Sequence, residues 1–258
     1  MRTVTATRYV TPLREGGSLP AIIEADDAGM YVLKFRGAGQ GPKALIAELV
    51  AGELARACGL PMPEVVLVEV DGNLARTEPD PEIQDLIRAS EGLNLALDYL
   101  PGAVTFDPVV WTADADLASR IVWLDALVTN IDRTPRNTNM MVWHDQLWLI
   151  DHGAALYFHH AWDDALARSR AGFVQIRDQV LLPFASRLAE VDADMAARLG
   201  ESVVHDIVES IPDSWLQRES GFADADALRG AYETWLLNRL KAPREFCKEA
   251  IRAHATLV

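Results

Sequence analysis

Residues 130–153 read Asn-Ile-Asp-Arg-Thr-Pro-Arg-Asn-Thr-Asn-Met-Met-Val-Trp-His-Asp-Gln-Leu-Trp-Leu-Ile-Asp-His-Gly, and this stretch decides the fold. Its first part is polar and contains proline, which is typical of a loop. Met140–Trp143 and Leu147–Ile150 are apolar enough to form paired strands, with His144-Asp145-Gln146 as the turn between them. The sequence therefore predicts a loop followed by a short hairpin.

Several side chains in this stretch carry oxygen atoms that could bind a metal ion. Asp132 and Asn137 lie on the predicted loop, and a hairpin symmetric about Asp145 would place Asn139 opposite Asp151. Hard oxygen ligands that converge in this way suit Mg²⁺ held against phosphates. Asp and Asn are also common in ordinary turns, so the Asp-x₄-Asn spacing alone is a weak signal. The whole constellation is much less expected by chance, and it predicts a metal-dependent phosphate site.

Composition sets the broad class of the protein. The chain has 258 residues, half of them hydrophobic, which fits one large domain or two lobes that share a cleft. No apolar stretch approaches the ~18 residues of a membrane span, and the N-terminus lacks the apolar core of a secretion signal. Cys58 and Cys247 form no metal-ligand pattern. We expect a cytoplasmic protein.

The formal net charge of −14 limits the possible partners. It argues against nonspecific binding to nucleic acid and against docking on an anionic membrane, because both need a cationic surface. A nucleotide remains possible if Mg²⁺ and a few local cations offset its phosphates. A partner protein also remains possible.

The first hundred residues are predicted to be rich in β-structure. The expected strands are Thr3–Leu13, Ala21–Glu24, Met30–Arg36, Val65–Val70, Leu74–Thr77 and Gly92–Leu100. One helix is expected from Pro42 to Cys58, since Gly59 is a natural stop. The acidic, proline-containing segment Glu78–Asp85 is expected to be a surface loop.

The chain changes character after residue 102. Ala115–Thr129 carries apolar residues at helical spacing, and the segments 175–190, 192–211 and 224–256 are amphipathic. The sequence therefore predicts an α+β protein with a small antiparallel β lobe and one helix over residues 1–101. A mainly helical lobe is expected over residues 102–258.

Lys34 lies inside the apolar strand Tyr-Val-Leu-Lys-Phe. A lysine in a buried strand needs a counter-charge or a phosphate, whereas a lysine on an edge strand faces water. The following helix offers Glu48 and Glu53 as partners. Glu53 falls nearer the centre of the apolar face, while Glu48 lies on a stripe of small residues that would permit close approach to a sheet. Periodicity does not choose between them, and both could be solvated.

Glycines occur at two further places that could approach a phosphate. Gly16-Gly17-Ser18 joins the first two strands, where backbone N–H groups could contact phosphate, although an ordinary hairpin turn is equally consistent. The segment 37–43, Gly-Ala-Gly-Gln-Gly-Pro-Lys, matches neither a dinucleotide loop nor a P-loop. We interpret it as a flexible connector.

The order of these parts resembles a two-lobed protein-kinase-like fold, and more closely the HipA-like kinases. Val-Leu-Lys-Phe at 32–35 and the segment 47–63, Ala-Glu-Leu-Val-Ala-Gly-Glu-Leu-Ala-Arg-Ala-Cys-Gly-Leu-Pro-Met-Pro, are similar to that family's strand, helix and helix exit. Asn130-Ile-Asp-Arg through Asn137 resembles its catalytic loop, and Leu149-Ile-Asp151 resembles its metal-binding strand end.

The resemblance implies roles for individual residues. Lys34 would contact the α- and β-phosphates of ATP, with Glu48 orienting it. Asp132 would position and deprotonate the acceptor hydroxyl, while Asn137 and Asp151 would hold Mg²⁺. The adenine would lie against a hinge formed by 97–100, which includes Leu100, and Asp98 would lie near the ribose.

The resemblance also implies a phosphoacceptor class, with alternatives. A protein serine or threonine is the expected acceptor, in a toxin–antitoxin or regulatory setting. The His-Gly that follows Asp151 is similar to phosphoinositide-type and small-molecule kinases, so a small-molecule or lipid hydroxyl is the alternative. Thr134 stands where many relatives have histidine, and no Ala-Pro-Glu element is visible. A nucleotide-binding pseudokinase or interaction module is the alternative from a different class.

Overall fold

The computed structural model describes residues 1–13, 19–216 and 219–257, and it has the predicted α+β class. Its strands are β1 (Thr3–Pro12), β2 (Ala21–Ala25), β3 (Met30–Lys34), β4 (Val65–Val70), β5 (Gly92–Asp98), β6 (Val104–Thr105), β7 (Met140–Trp143) and β8 (Gln146–Leu149). Its α-helices are α1 (Pro42–Ala57), α2 (Pro81–Ala89), α3 (Ala115–Val128), α4 (Leu188–Arg198), α5 (Glu201–Glu209), α6 (Ala225–Leu240) and α7 (Glu245–Ala255). None of the helices in the described ranges combines the length and the apolar composition that a membrane span requires.

The first five strands form a closed barrel in the order β1-β2-β3-β5-β4. Neighbouring strands are antiparallel except β1 and β4, which run parallel where Thr3–Thr5 lies beside Leu67–Glu69. Alternate side chains of these strands fill the barrel, and Ile83 and Ile87 of helix α2 pack against them. Helix α2 was not predicted, so the described part of residues 1–101 contains two α-helices and not one.

Helix α1 follows its local sequence signals. Pro42 occupies the first turn, where its missing N–H costs nothing, and Gly59 adopts a φ of 74° just beyond the helix end. A β-carbon on Gly52 would lie 2.7 Å from Met62 Cε. The small residues of this helix therefore permit the close approach that the sequence predicted.

A single hydrophobic core runs from helix α1 into the helical part of the chain. Helix α1 packs against β4 and β5 and also against α3 and α5. Trp215 adds a further link, since its Nε1 donates to the Leu93 carbonyl of β5 at 3.0 Å. The lobe boundary after residue 101 stays a prediction.

Two predictions for the small lobe were wrong. Leu74–Thr77 is not the second strand of a hairpin but part of a 3₁₀ helix, Gly72–Thr77, which begins where Asp71 accepts a hydrogen bond from the Asn73 N–H. The segment Glu78–Asp85 is not all loop. Asp80 caps helix α2 through the Glu82 N–H, so the helix begins at Pro81.

The helical remainder is more broken than its pattern predicted. The segment 175–190 contains two short 3₁₀ helices, Val174–Asp178 and Leu182–Phe184, before α4 begins. The segment 192–211 is divided at Gly200 between α4 and α5, and 224–256 is divided between α6 and α7. These breaks shape the surface of the lobe and leave its core continuous.

The hairpin of β7 and β8 is present, but its register differs by one residue. Met140 pairs with Leu149 and Trp143 with Gln146, so the turn consists of His144 and Asp145 alone. Both turn residues have positive φ, 48° and 58°, as a two-residue hairpin turn of this hand requires. The prediction that Asn139 lies opposite Asp151 was therefore wrong.

Candidate active site

Lys34, the last residue of β3, lies between two carboxylates. Its Nζ is 2.6 Å from Glu48 Oε2 on helix α1 and 2.6 Å from Asp151 Oδ1 just after β8. Glu48 is fully buried, and Lys34 is only 9% exposed. Glu53 instead pairs with Arg56 at 2.9 Å on the same helix. The lysine therefore meets Glu48 and not Glu53, which periodicity alone could not decide.

The two buried charges stabilise each other. Burial opposes ionisation of Glu48, but the charge of Lys34 and the hydrogen bond from His152 outweigh it, so the pKa of Glu48 falls to about 2. Burial likewise disfavours the ammonium form of Lys34, but Glu48 and Asp151 raise its pKa above the ordinary value. Both groups are therefore charged at neutral pH.

His152 attaches the segment after β8 to helix α1. Its backbone N–H donates to Glu48 Oε2 at 2.8 Å, and its ring Nδ1 lies 3.7 Å from Glu48 Oε1. The ring is fully buried, and in the part of the chain that is described neither ring nitrogen has a hydrogen-bond partner. Asp151 thus sits next to a residue that is fixed by the same carboxylate that holds Lys34.

Asp132 is held on its loop by two asparagine amides. Asn137 Nδ2 donates to Asp132 Oδ2 at 2.7 Å, and Asn139 Nδ2 donates to the same oxygen at 3.2 Å. The Asp132 N–H donates to Asn130 Oδ1 at 3.1 Å. The structure therefore brings together the predicted Asp132 and Asn137.

The Asp132 loop is joined to the strand that leads to Asp151. The Ile150 N–H donates to the Asn139 carbonyl at 3.1 Å, one residue before Asp151. Arg133 donates to both of these residues, to the Asn139 carbonyl and to the Ile150 carbonyl at 3.4 Å. The hairpin thus connects the two acidic positions, although through Ile150 and not through the predicted register.

A buried polar cluster that the sequence analysis missed lies beneath this loop. Asp125 of helix α3 accepts hydrogen bonds from Arg133 Nε at 2.9 Å, Asn130 Nδ2 at 3.1 Å and Gln179 Nε2 at 2.9 Å. Asp125 and Arg133 have no exposed side-chain surface. The available signal was an acidic residue inside the apolar stretch 121–128 of helix α3, which must find a partner when it is buried.

The predicted hinge begins at the end of β5. Leu97 and Leu100 are buried, and over the described residues the Leu100 N–H donates no hydrogen bond. The charged neighbours of Asp98 are Glu64, Arg2 and Asp27; burial and Glu64 raise its pKa. The side chain of Asp98 therefore lies beside an ion-pair group of the small lobe, and its proximity to a ribose stays a prediction. Gly16, Gly17 and Ser18 lie outside the described residues.

Asn137 and Asp151 each keep an oxygen atom of the kind that magnesium binds. The Asp151 side chain is 45% exposed, and Lys34 bonds only its Oδ1. Asn137 uses its amide nitrogen on Asp132, which leaves its carbonyl oxygen for a ligand. Across the described ranges no three His, Cys, Asp or Glu residues form a metal cage. The remaining oxygens of Asn137 and Asp151 are hard donors of the kind that Mg²⁺ binds while it keeps waters and contacts phosphates.

Comparisons with known proteins identify the family of the chain. Residues 7–246 match the family model described as HipA-like kinase. No curated protein matches the chain significantly.

Two solved structures share the fold. A proinflammatory kinase of Helicobacter pylori, CtkA, aligns over 98% of this chain and 99% of its own with a TM-score of 0.55 at 14% identity. The Golgi casein kinase aligns over 99% of this chain and 73% of its own with a TM-score of 0.50 at 10% identity. The predicted protein-kinase-like fold is confirmed.

Proposed function

The chain belongs to the HipA-like kinase family and is a phosphotransferase, and on that premise we propose that it transfers the γ-phosphoryl group of Mg·ATP to a serine or threonine hydroxyl of a protein. The observation that carries the proposal is the position of Lys34. It is buried, charged and held between Glu48 and Asp151, and the hairpin joins Asp151 to the loop that bears Asp132. Phosphoryl transfer needs this combination of a fixed cation, a metal-binding carboxylate and a base.

Nucleotide binding depends on Lys34 and the hinge. Lys34 would exchange its contact with Asp151 for the α- and β-phosphates while Glu48 keeps it oriented. The free Leu100 N–H would donate to the adenine. Gly16, Gly17 and Ser18, which lie outside the described residues, belong to the proposal on sequence grounds alone.

Asn137 and Asp151 would hold Mg²⁺ through one amide and one carboxylate oxygen. When bound, the ion neutralises charge on the phosphate oxygens. Asp151 then has two alternative partners, since the lysine contact seen here occupies one of its oxygens.

Asp132 acts on the acceptor. Its carboxylate orients the hydroxyl and takes the hydroxyl proton while the hydroxyl oxygen forms a bond to the γ-phosphorus. The bond between that phosphorus and the bridging oxygen breaks at the same time, and ADP leaves. Asn137 and Asn139 fix the carboxylate by bonding its Oδ2, so Oδ1 remains for the proton.

The acceptor class rests on the resemblance and on the kinases that share the fold. One of them is named a casein kinase, which supports a protein acceptor. A small-molecule or lipid hydroxyl is the second candidate, because His152 stands where protein kinases have phenylalanine and packs on Glu48. A toxin–antitoxin or regulatory setting with a partner protein would accompany the first candidate.

Substitution of Asp132 tests the proposal. Asp132→Asn should lower transfer of ³²P from γ-labelled ATP to protein by about 10²–10⁴-fold, the usual contribution of a general base. It should leave ADP affinity within about threefold, since other residues hold the nucleotide. Asp145→Asn, on the exposed hairpin turn, is the matched control. Full transfer by Asp132→Asn would reject the base, and nucleotide binding by wild type without transfer to any acceptor would identify a pseudokinase.

A further inference from the structure

The buried group of Asp125, Asn130, Arg133 and Gln179, here called the Asp125 cluster, touches both halves of the candidate site. On one side Asn130 accepts from the Asp132 N–H. On the other side Arg133 donates to the carbonyl of Ile150, the residue before Asp151. All four members of the cluster are 5% exposed or less.

Asp125 organises this cluster from helix α3. Its Oδ1 accepts from Asn130, and its Oδ2 accepts from Arg133 and Gln179. The carboxylate therefore bonds one residue on each side of Asp132 along the chain. Because rotation of Asp125 would break three hydrogen bonds at once, the backbone on either side of Asp132 has little freedom.

Gln179 fixes the cluster from the far side. Its Nε2 bonds Asp125, while its Oε1 accepts from the Leu181 N–H at 2.5 Å. The Val180 N–H donates to the Arg133 carbonyl at 3.1 Å. The segment 179–181 thus bonds to both helix α3 and the Asp132 loop, although this segment lies more than 40 residues further along the chain than the loop.

We propose that Asp125 and Gln179 are positioning residues that set the placement of Asp132 relative to Asp151, an inference that rests on the proposed function. A fully buried ion pair adds little net stability over well-packed apolar side chains of the same size. The Asp125–Arg133 pair instead holds two chain segments in one register. Transfer requires the base and the metal ligand at a fixed separation, and small misplacements cost large factors in rate.

The test substitutes Gln179→Leu, which keeps the Asp125–Arg133 ion pair and therefore the counter-charge. The rate of Mg·ATP consumption at saturating ATP should fall about 10–100-fold, as for other groups that orient site ligands. The KM for ATP should stay within about threefold, because Lys34 and the hinge are untouched. A folded Gln179→Leu protein with an unchanged kcat would overturn the proposal.

A matched control is available on helix α2. Gln84 Nε2 donates to the Glu78 carbonyl at 2.7 Å, so Gln84→Leu also removes a partly buried glutamine hydrogen bond, away from the Asp132 loop. Gln84→Leu should retain the wild-type kcat. An equal loss in both variants would indicate a general effect on stability and would contradict a positioning role for Gln179.

Moving the negative charge from position 125 to position 179 provides a rescue experiment for the Asp125 cluster. Asp125→Asn leaves Arg133 buried without a counter-charge, so this variant is expected to express poorly. Adding Gln179→Glu returns one carboxylate to the cluster and should recover folded protein and at least about tenfold in kcat over Asp125→Asn. No recovery in the double variant would contradict electrostatic positioning.

Amide hydrogen exchange separates failure of this inference from failure of the proposed function. Gln179→Leu should speed exchange of the Asp132 and Ile150 amides by about tenfold or more and leave β4 amides unchanged, whether or not the protein consumes ATP. If wild type neither binds ADP nor consumes ATP, the proposed function fails while this measurement still decides the structural claim. Unchanged exchange at both amides would overturn the inference.

Discussion

Two buried ion pairs, Lys34–Glu48 and Arg133–Asp125, hold the candidate site in different ways. Both carboxylates are fully buried. Lys34 also contacts Asp151, whose side chain is 45% exposed and can exchange its partner. Arg133 and Asp125 bond only to interior groups of the protein. The first pair is linked to a partly exposed carboxylate, that of Asp151, whereas the second is bonded to backbone groups of the interior.

Removing the Arg133–Asp125 pair should have the largest effect on stability. Asp125→Leu with Arg133→Met leaves the side-chain amides of Asn130 and Gln179 without the acceptor they now share, at a cost of about 1–3 kcal/mol each. The free energy of unfolding in urea should fall by at least about 2 kcal/mol. A double variant as stable as wild type would show that the cluster is dispensable for folding.

Replacing the other ion pair, Lys34–Glu48, with apolar residues should reduce the stability less. Lys34→Met with Glu48→Leu leaves one backbone donor among the described residues, the His152 N–H, without its acceptor, and it lets water hydrate Asp151. The free energy of unfolding should therefore fall by about 1–2 kcal/mol. Transfer should nevertheless be abolished. Equal losses of stability in the two double variants would remove the distinction between them.

Acid should weaken the Lys34–Glu48 pair selectively. The pKa of Glu48 falls from its ordinary value of 4.5 to about 2 in the folded protein. The stability from this depressed pKa is present above pH 4.5 and is lost as the pH falls toward 2. Glu48→Gln should cost on the order of 2–3 kcal/mol at pH 7, and urea unfolding curves of variant and wild type should converge near pH 2.

The control for that measurement is the other glutamate of helix α1. Glu53 pairs with Arg56 near the surface, so Glu53→Gln should change the free energy of unfolding by less than about 0.5 kcal/mol. A pH-dependent loss in Glu53→Gln equal to that of Glu48→Gln would refute the assignment of the acid effect to the buried pair.

Substitution of His152 should have a smaller effect on stability, and it should stabilise the protein. Its ring carries two buried nitrogens without partners among the described residues, and such groups cost about 1 kcal/mol or more. His152→Leu keeps the backbone bond to Glu48 and should raise the free energy of unfolding by about 1 kcal/mol. Transfer should decrease several-fold as Glu48 loses its neighbour. A His152→Leu variant that is less stable than wild type and retains full transfer would contradict both predictions.

Local signals predicted much of the fold. Pro42 and Gly59 bound helix α1 by their own backbone chemistry, and Lys34 in an apolar strand required a counter-charge wherever the chain supplied one. The choice of Glu48 over Glu53 could not be predicted, because it depends on where β3 and Asp151 meet the helix. Asp125 was missed for the same reason, since Gln179 reaches it from 54 residues away.

Turn chemistry explains the errors. The hairpin register depends on positive φ at His144 and Asp145, a conformation that His-Asp signals far less strongly than Asn-Gly does. The signal Asp71-Gly72-Asn73 suits a hairpin turn and the start of a 3₁₀ helix equally. The Asp71 side chain selects the helix by accepting from the Asn73 N–H.

The most direct test of the central claim is the dependence of ADP affinity on Mg²⁺, measured by titration calorimetry for wild type and Asp151→Asn. We expect Mg²⁺ to tighten ADP binding to wild type by about tenfold or more, and Asp151→Asn to lose that gain. Asp145→Asn should keep it. ADP affinity that is the same with and without Mg²⁺ in wild type, or a gain that survives in Asp151→Asn, would contradict the account.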